Sequence, residues 1–236
     1  MTGNKNTAFT KEEKKILFLH GYLSSGKSFY NQLRFFERDF ETFAPDLKGF
    51  GDNAEMPFAY SLNDYIEEVK EYCYKKGLVN PHVVAHSFGA RIAVKAAATK
   101  AVAFNRLVLT GAAGLKPKRT LKKTVKRACF SFLKKFVDKN KLSAFYSKDY
   151  LSLNAVMKES FIKIVNENLD DLLPSIENKT LLVFGDGDKE TPLYMARRYE
   201  RGIKNSKLIV IKGAGHFAFI DKPNKFNVEV KEFLLS

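Results

Sequence analysis

The sequence predicts an α/β protein: a mostly parallel, doubly wound sheet of about six strands, with a helical insertion after the fourth. Three observations carry this expectation. Short apolar runs alternate with longer helical stripes, which is the rhythm of βαβ units. That rhythm stops near Leu115 and resumes only after about Ile176. The 236 residues suit one α/β domain with an insertion.

Ile16–Leu19 reads as the first strand, followed by a glycine-bearing loop and a helix near Phe29–Phe36. Thr42–Ala44 is a short strand ending at Pro45. Ser61–Lys76 is an amphipathic helix, because Leu62, Tyr65, Ile66, Val69 and Cys73 share one face, and Gly77 stands just past its end. Val83–Ala85 is a strand, Phe88–Thr99 a helix, and Leu107–Thr110 the fourth strand. After the insertion come a strand at Leu181–Phe184, a helix at Pro192–Arg201, a strand at Leu208–Ile211 and a helix at Pro223–Leu235. A structureless loop as long as the insertion would be exceptional, so helices are expected there.

Composition excludes several classes. With 45% hydrophobic and 28% charged residues the chain is neither disordered nor a repeat fibre. No apolar stretch approaches the ~18 residues of a membrane span, and Met1–Lys15 lacks the apolar centre of a secretory signal. Cys73 and Cys129 cannot build a disulfide framework and have no metal-ligand spacing, so a cytoplasmic setting and no metal or cofactor are expected. The formal charge is +14, concentrated between Leu115 and Lys141, where eleven basic residues face the single acid Asp138. No nucleic-acid-binding pattern accompanies it, so no nucleic-acid partner is expected. Leu121, Val125, Cys129, Phe132 and Phe136 form an apolar stripe, with Lys122, Lys123, Lys126 and Arg127 on other faces. A helix of this kind packs its stripe on a core, or lies on an anionic membrane.

Two motifs compete for the first loop. Gly21-Tyr22-Leu23-Ser24-Ser25-Gly26-Lys27-Ser28 satisfies the phosphate-loop pattern, with Asp186 as the acid available for magnesium. The later strands suggest different chemistry. In Ala85-His86-Ser87-Phe88-Gly89 a serine lies between a strand and a helix with small residues two positions either side, as a nucleophile elbow requires. Carboxylates follow in Gly185-Asp186-Gly187-Asp188, and a histidine in Gly213-Ala214-Gly215-His216. The order Ser, Asp, His suits a nucleophile, an orienting acid and a base.

With the His20-Gly21 loop and Asp46-Leu47-Lys48-Gly49-Phe50-Gly51, these segments resemble the α/β-hydrolase superfamily over nearly the whole chain. Ala85 stands where glycine is usual, and the serine nucleophile argues against dehalogenase and epoxide-hydrolase members. The resemblance implies a core at residues 1–114 and 177–236, and a cap or lid at 115–176. It implies a catalytic triad of Ser87, His216 and Asp188, with the acid three residues beyond the strand-ending glycine, which selects Asp188 over Asp186. The backbone N–H groups of Tyr22 and Phe88 would form the oxyanion hole. His20 is expected to hold the first loop. His86 is expected to be structural and to point away from the site, and His82 to lie at the surface.

The expected reaction is hydrolysis of an ester or related acyl substrate through an acyl-enzyme. The alternatives are C–C bond hydrolysis or acyl transfer by the same triad, a low-turnover binding protein of this fold, and an NTPase built on Gly21–Ser28. The expected partner is a small acyl substrate, an anionic one being an option, with membrane contact through the basic segment as a further option. Oligomeric state is left open.

Overall fold

The computed structural model describes residues 14–118 and 153–236. Six strands form one sheet in the order β2-β1-β3-β4-β5-β6, and every neighbouring pair is parallel. They are β1 (Lys15–Leu19), β2 (Glu41–Phe43), β3 (His82–His86), β4 (Leu107–Thr110), β5 (Thr180–Gly185) and β6 (Ser206–Ile211). The predicted parallel α/β fold is present. β4 coincides with its expected span, and the others differ by at most two residues at either end. The longest extension, Ser206–Lys207 of β6, is polar sequence on an edge strand, where no apolar signal is needed to pair with β5.

β3, β4 and β5 are buried along their whole length. Alternate residues serve two separate cores, as the pleat requires. Leu17, Leu19, Val83, Ala85, Leu107, Leu109, Leu182 and Phe184 pack on one face; Ile16, Phe18, Val84, Val108, Leu181 and Val183 pack on the other. The first face is covered by α2 (Leu62–Lys75), α3 (Phe88–Ala98) and α5 (Leu193–Gly202). The second is covered by α1 (Tyr30–Phe36), α6 (Ala218–Asp221) and α7 (Pro223–Leu235). α2 begins where Ser61 caps it: Ser61 and Asp64 exchange side-chain-to-backbone hydrogen bonds in a capping box.

Between β4 and β5 lies α4 (Ala155–Asn166), capped by Asn154, and then a 3₁₀ segment at Asp170–Ser175. α4 is tied to the rest of the molecule at several points. Tyr22 Oη donates to Met157 O, Ser160 Oγ to Tyr60 O, and Lys163 Nζ to Ala59 O. The stripe at Leu121–Phe136 and the basic residues around it lie outside the described residues. Among the described residues no helix is long and apolar enough to cross a membrane.

The sheet order places the functional region. The chain steps from β1 outward to β2, then returns to place β3 on the other side of β1. Ligands of open α/β sheets bind beyond the strand carboxyl ends at such a reversal. The loops leaving β1 and β3 there carry Gly21–Tyr22 and Ser87.

Candidate active site

Ser87 sits between the last residue of β3 and the first of α3, with φ 49° and ψ −102°. A residue with a Cβ rarely adopts this conformation, and it persists only where the surroundings impose it. Here Ser87 N donates to Thr110 O at 3.1 Å and Ala113 N donates to Ser87 O at 3.3 Å. The turn is tight: a Cβ on Gly89 would stand 2.2 Å from Leu19 O. Ala85, the departure from the usual glycine, is accommodated fully buried.

His216 follows β6 and turns toward the same place. Its Nδ1 lies 2.9 Å from Asp188 Oδ2. An ionised carboxylate only accepts, so Nδ1 carries the proton and Nε2 is left with its lone pair. The Asp188 side chain has no exposed surface. Burial would push its carboxyl up, but hydrogen bonds from His216 and Thr191 outweigh this and hold it below the ordinary carboxylate range. Thr191 contributes its hydroxyl to Oδ2 at 2.6 Å and its amide to Oδ1 at 2.8 Å, and Glu190 N adds a third at 2.9 Å. Asp186 is turned elsewhere and accepts from Gly213 N at 2.8 Å.

Ser87 and His216 line one cavity of about 660 Å³, together with Tyr22 and Phe88. Phe88 is the first residue of α3, so its N–H has no acceptor within the helix. The Tyr22 ring packs edge-on against Phe50, Phe88 and Phe161, which fixes the backbone of the first loop beside the serine. His20 holds that loop from behind. Leu47 N donates to its Nε2 at 2.9 Å, so Nδ1 bears the proton and donates to Gly21 O at 2.8 Å. Burial pulls His20 below its ordinary value, which favours this neutral form.

The chain matches the Alpha/beta hydrolase family over residues 16–229. It belongs to that family. This α/β-fold hydrolase is 26% identical over 246 residues to the AB hydrolase superfamily protein YisY of Bacillus subtilis, an alignment covering 93% of this chain and 91% of the relative. It is 24% identical over 216 residues to the 2-hydroxymuconate semialdehyde hydrolase of Pseudomonas putida, covering 81% and 75%. An esterase from Exiguobacterium antarcticum has the same fold, with a TM-score of 0.76 at 21% identity over 94% of this chain and 92% of that one.

The phosphate-loop pattern has another explanation in this hydrolase. A Cβ on Gly26 would lie 2.2 Å from Ala44 O, and Gly26 N donates to Asp46 Oδ1 at 2.7 Å. Lys27 reaches outward to Asp52 at 2.9 Å on the surface. The glycine answers to packing, and its amide is already bonded. Among the described residues no His, Cys, Asp and Glu cluster could hold a metal ion.

Two histidine expectations need correction. His82 is 1% exposed: it opens β3 and meets Phe40 at 6.1 Å between ring centroids. The strand starts one residue earlier than its apolar run, and that residue is drawn inside. His86 does not point away. Its ring lies 4.7 Å from the His216 ring, and its Nε2 donates to His216 O at 3.1 Å, bracing the loop that presents His216. Sequence reasoning also missed Thr191, Arg91 and Glu190. Only Thr191 had a local signal, as a hydroxyl three residues beyond the acid. Arg91 lines the cavity from α3, and Glu190 brings Oε2 to 3.8 Å from His216 Nε2.

Proposed function

We propose that the chain is a serine acyl hydrolase in which Ser87 is the nucleophile, His216 the general base and Asp188 the orienting acid. The observation that carries this reading is the pairing of Asp188 with His216 Nδ1 at 2.9 Å, in the same cavity as a serine held at φ 49°. Ser87 Oγ attacks the carbonyl of a small ester as His216 Nε2 takes its proton. The oxyanion forms against the N–H groups of Tyr22 and Phe88, backbone donors that need no rearrangement during the reaction. His216 then protonates the leaving alcohol, and an acyl-Ser87 remains. Water, deprotonated by His216, attacks that acyl group, and the acid leaves as Ser87 recovers its proton. Residues 115–176 are read as a cap over this site, of which α4 supplies Phe161 and Ile164 to the cavity wall.

A fluorophosphonate probe should label the wild-type protein and not Ser87→Ala. Equal labelling of both would overturn the assignment. The likeness to a 2-hydroxymuconate semialdehyde hydrolase favours C–C bond hydrolysis as the second reading. A panel of esters, thioesters and vinylogous diketones separates the two by which bond is cleaved fastest.

A further inference from the structure

Arg91 is the only Lys or Arg among the described residues that line the cavity. It stands four residues after Ser87, and thus about 6 Å further along the α3 axis on the same face. Its Nη1 donates to Ile164 O and Glu167 O, both at 2.9 Å, which satisfies carbonyls left over at the end of α4. That engages one nitrogen of the guanidinium. Nε and Nη2 make no hydrogen bond among the described residues, yet they are not among the polar atoms sealed from solvent without a partner. Arg91 is one of the residues that line the cavity holding Ser87.

The Glu167 carboxylate pairs with Lys95 and adds a favourable charge near Arg91, to which Glu167 otherwise presents its backbone carbonyl. Tyr199, the nearest hydroxyl, donates to Ala113 O. The remaining carboxylate on the lining, Glu190, stands beside His216, where a leaving group would depart. Leu153, Phe161 and Ile164 give the same cavity apolar wall. A half-buried cation whose Nε and Nη2 make no hydrogen bond among the described residues, in a cavity with apolar walls, matches an anion attached to a hydrocarbon chain.

We propose that Arg91 forms an anion subsite for a carboxylate at the far end of the acyl group, so that the preferred substrates are monoesters of dicarboxylic acids. This rests on the acyl-hydrolase reading above. Hydrolysis follows the same steps: water is consumed, the ester C–O bond breaks, and an alcohol and a free dicarboxylate leave.

The test compares kcat/KM for 4-methylumbelliferyl monoesters of straight-chain dicarboxylic acids of four to eight carbons with methyl-ended acyl esters of equal length. Wild type should favour the carboxylate-ended ester by about ten- to a hundredfold at its best length. Arg91→Met should bring that ratio close to one, and Arg91→Lys, which keeps a cation but loses the fork, should fall between. The ratio is the readout, because loosening α4 would alter both esters together. If Arg91→Met does not fold, as judged by circular dichroism, the lysine variant and calorimetric titration of Ser87→Ala with pentanedioate against pentanoate carry the test. A ratio near one in wild type, or unchanged in the variants, would reduce Arg91 to a clamp on α4. Wild type that resists fluorophosphonate and cleaves neither ester would overturn the hydrolase reading instead, with pentanedioate titration still reporting on the anion site.

Discussion

Asp188 and Asp186 differ by two positions and by everything that surrounds them. Asp188 is sealed under Thr191 and bonded to His216, whereas Asp186 serves a turn through Gly213 N. Asp188→Asn should therefore leave the fold intact and lower kcat by about 10⁴, because an amide no longer holds the imidazole in the tautomer with Nε2 free. Asp186→Asn should change kcat less than about threefold, since only a surface turn is affected. Steady-state kinetics on the two purified variants decides this, and reversed magnitudes would reassign the acid. Buried groups away from the chemistry set the pH response. Burial, reinforced by the neighbouring His216, lowers His86 to about 3, so its contribution to stability is present above 6.5 and lost as pH falls toward 3. His20 shifts in the same direction. Burial raises Glu68 to about 7, so its contribution is present below 4.5 and lost as pH rises through 7. The two slopes oppose each other between pH 5 and 7, the His86 part being about 1.4 kcal/mol per pH unit. Urea unfolding at pH 5 and 7 should show Glu68→Gln losing more stability on acidification than wild type, and Glu68→Gln/His86→Gln losing less than Glu68→Gln.

At the scale of the element, the α3 entry and the α4 anchorage are the sensitive points. Gly89→Ala would drive a Cβ into Leu19 O at 2.2 Å and His20 O at 2.8 Å, both backbone atoms of β1 and its exit. Neither can yield without moving the sheet, so a loss of about 3 kcal/mol or more is expected. Ser160→Ala removes one buried hydrogen bond, from Oγ to Tyr60 O at 2.9 Å, and should cost about 1 kcal/mol. Thermal melts of the two variants should rank in that order. The strands were legible because buried parallel strands need unbroken apolar runs such as Leu107–Thr110, and α2 because Ser61, its five apolar positions and Gly77 agree. Ser87, Asp188 and His216, the proposed triad, could be singled out because each follows a strand within a turn whose small residues are local signals. Glu190 and Arg91 meet partners 26 and 73 positions away, His216 and Ile164. No local pattern records such a meeting. His82 was misplaced for the converse reason: a polar side chain at a strand start gives no sign that Phe40, 42 positions earlier, will meet it.

Across the whole molecule the formal charge of +14 is large for 236 residues. An anionic ester should meet this protein faster at low salt, since exposed charges are screened beyond ~10 Å at 0.1 M. Its kcat/KM should then fall as sodium chloride is raised from 20 to 300 mM (roughly a fourfold shortening of the screening length), while a neutral ester of similar size stays level. Replacing Lys122, Lys123, Lys126 and Arg127 by glutamine should flatten the dependence. Parallel salt responses for the two esters would mean that the basic segment does not face incoming substrate.

β4 and β5 are hydrogen-bonded neighbours, with Thr110 opposite Val183, although the chain between them runs through α4 and beyond. The two ends of that insertion are thus held together by the sheet, whatever lies between them. The entropy of closing a loop grows only with the logarithm of its length, about 0.6 kcal/mol for each doubling. A change of length in the segment therefore costs the core little only where Leu153, Met157, Ile164, Leu169, Leu173 and Ile176 keep their places in it. Insertions and deletions that spare those positions leave the β4–β5 pairing closed, so the segment can change length on a sheet that hardly registers it.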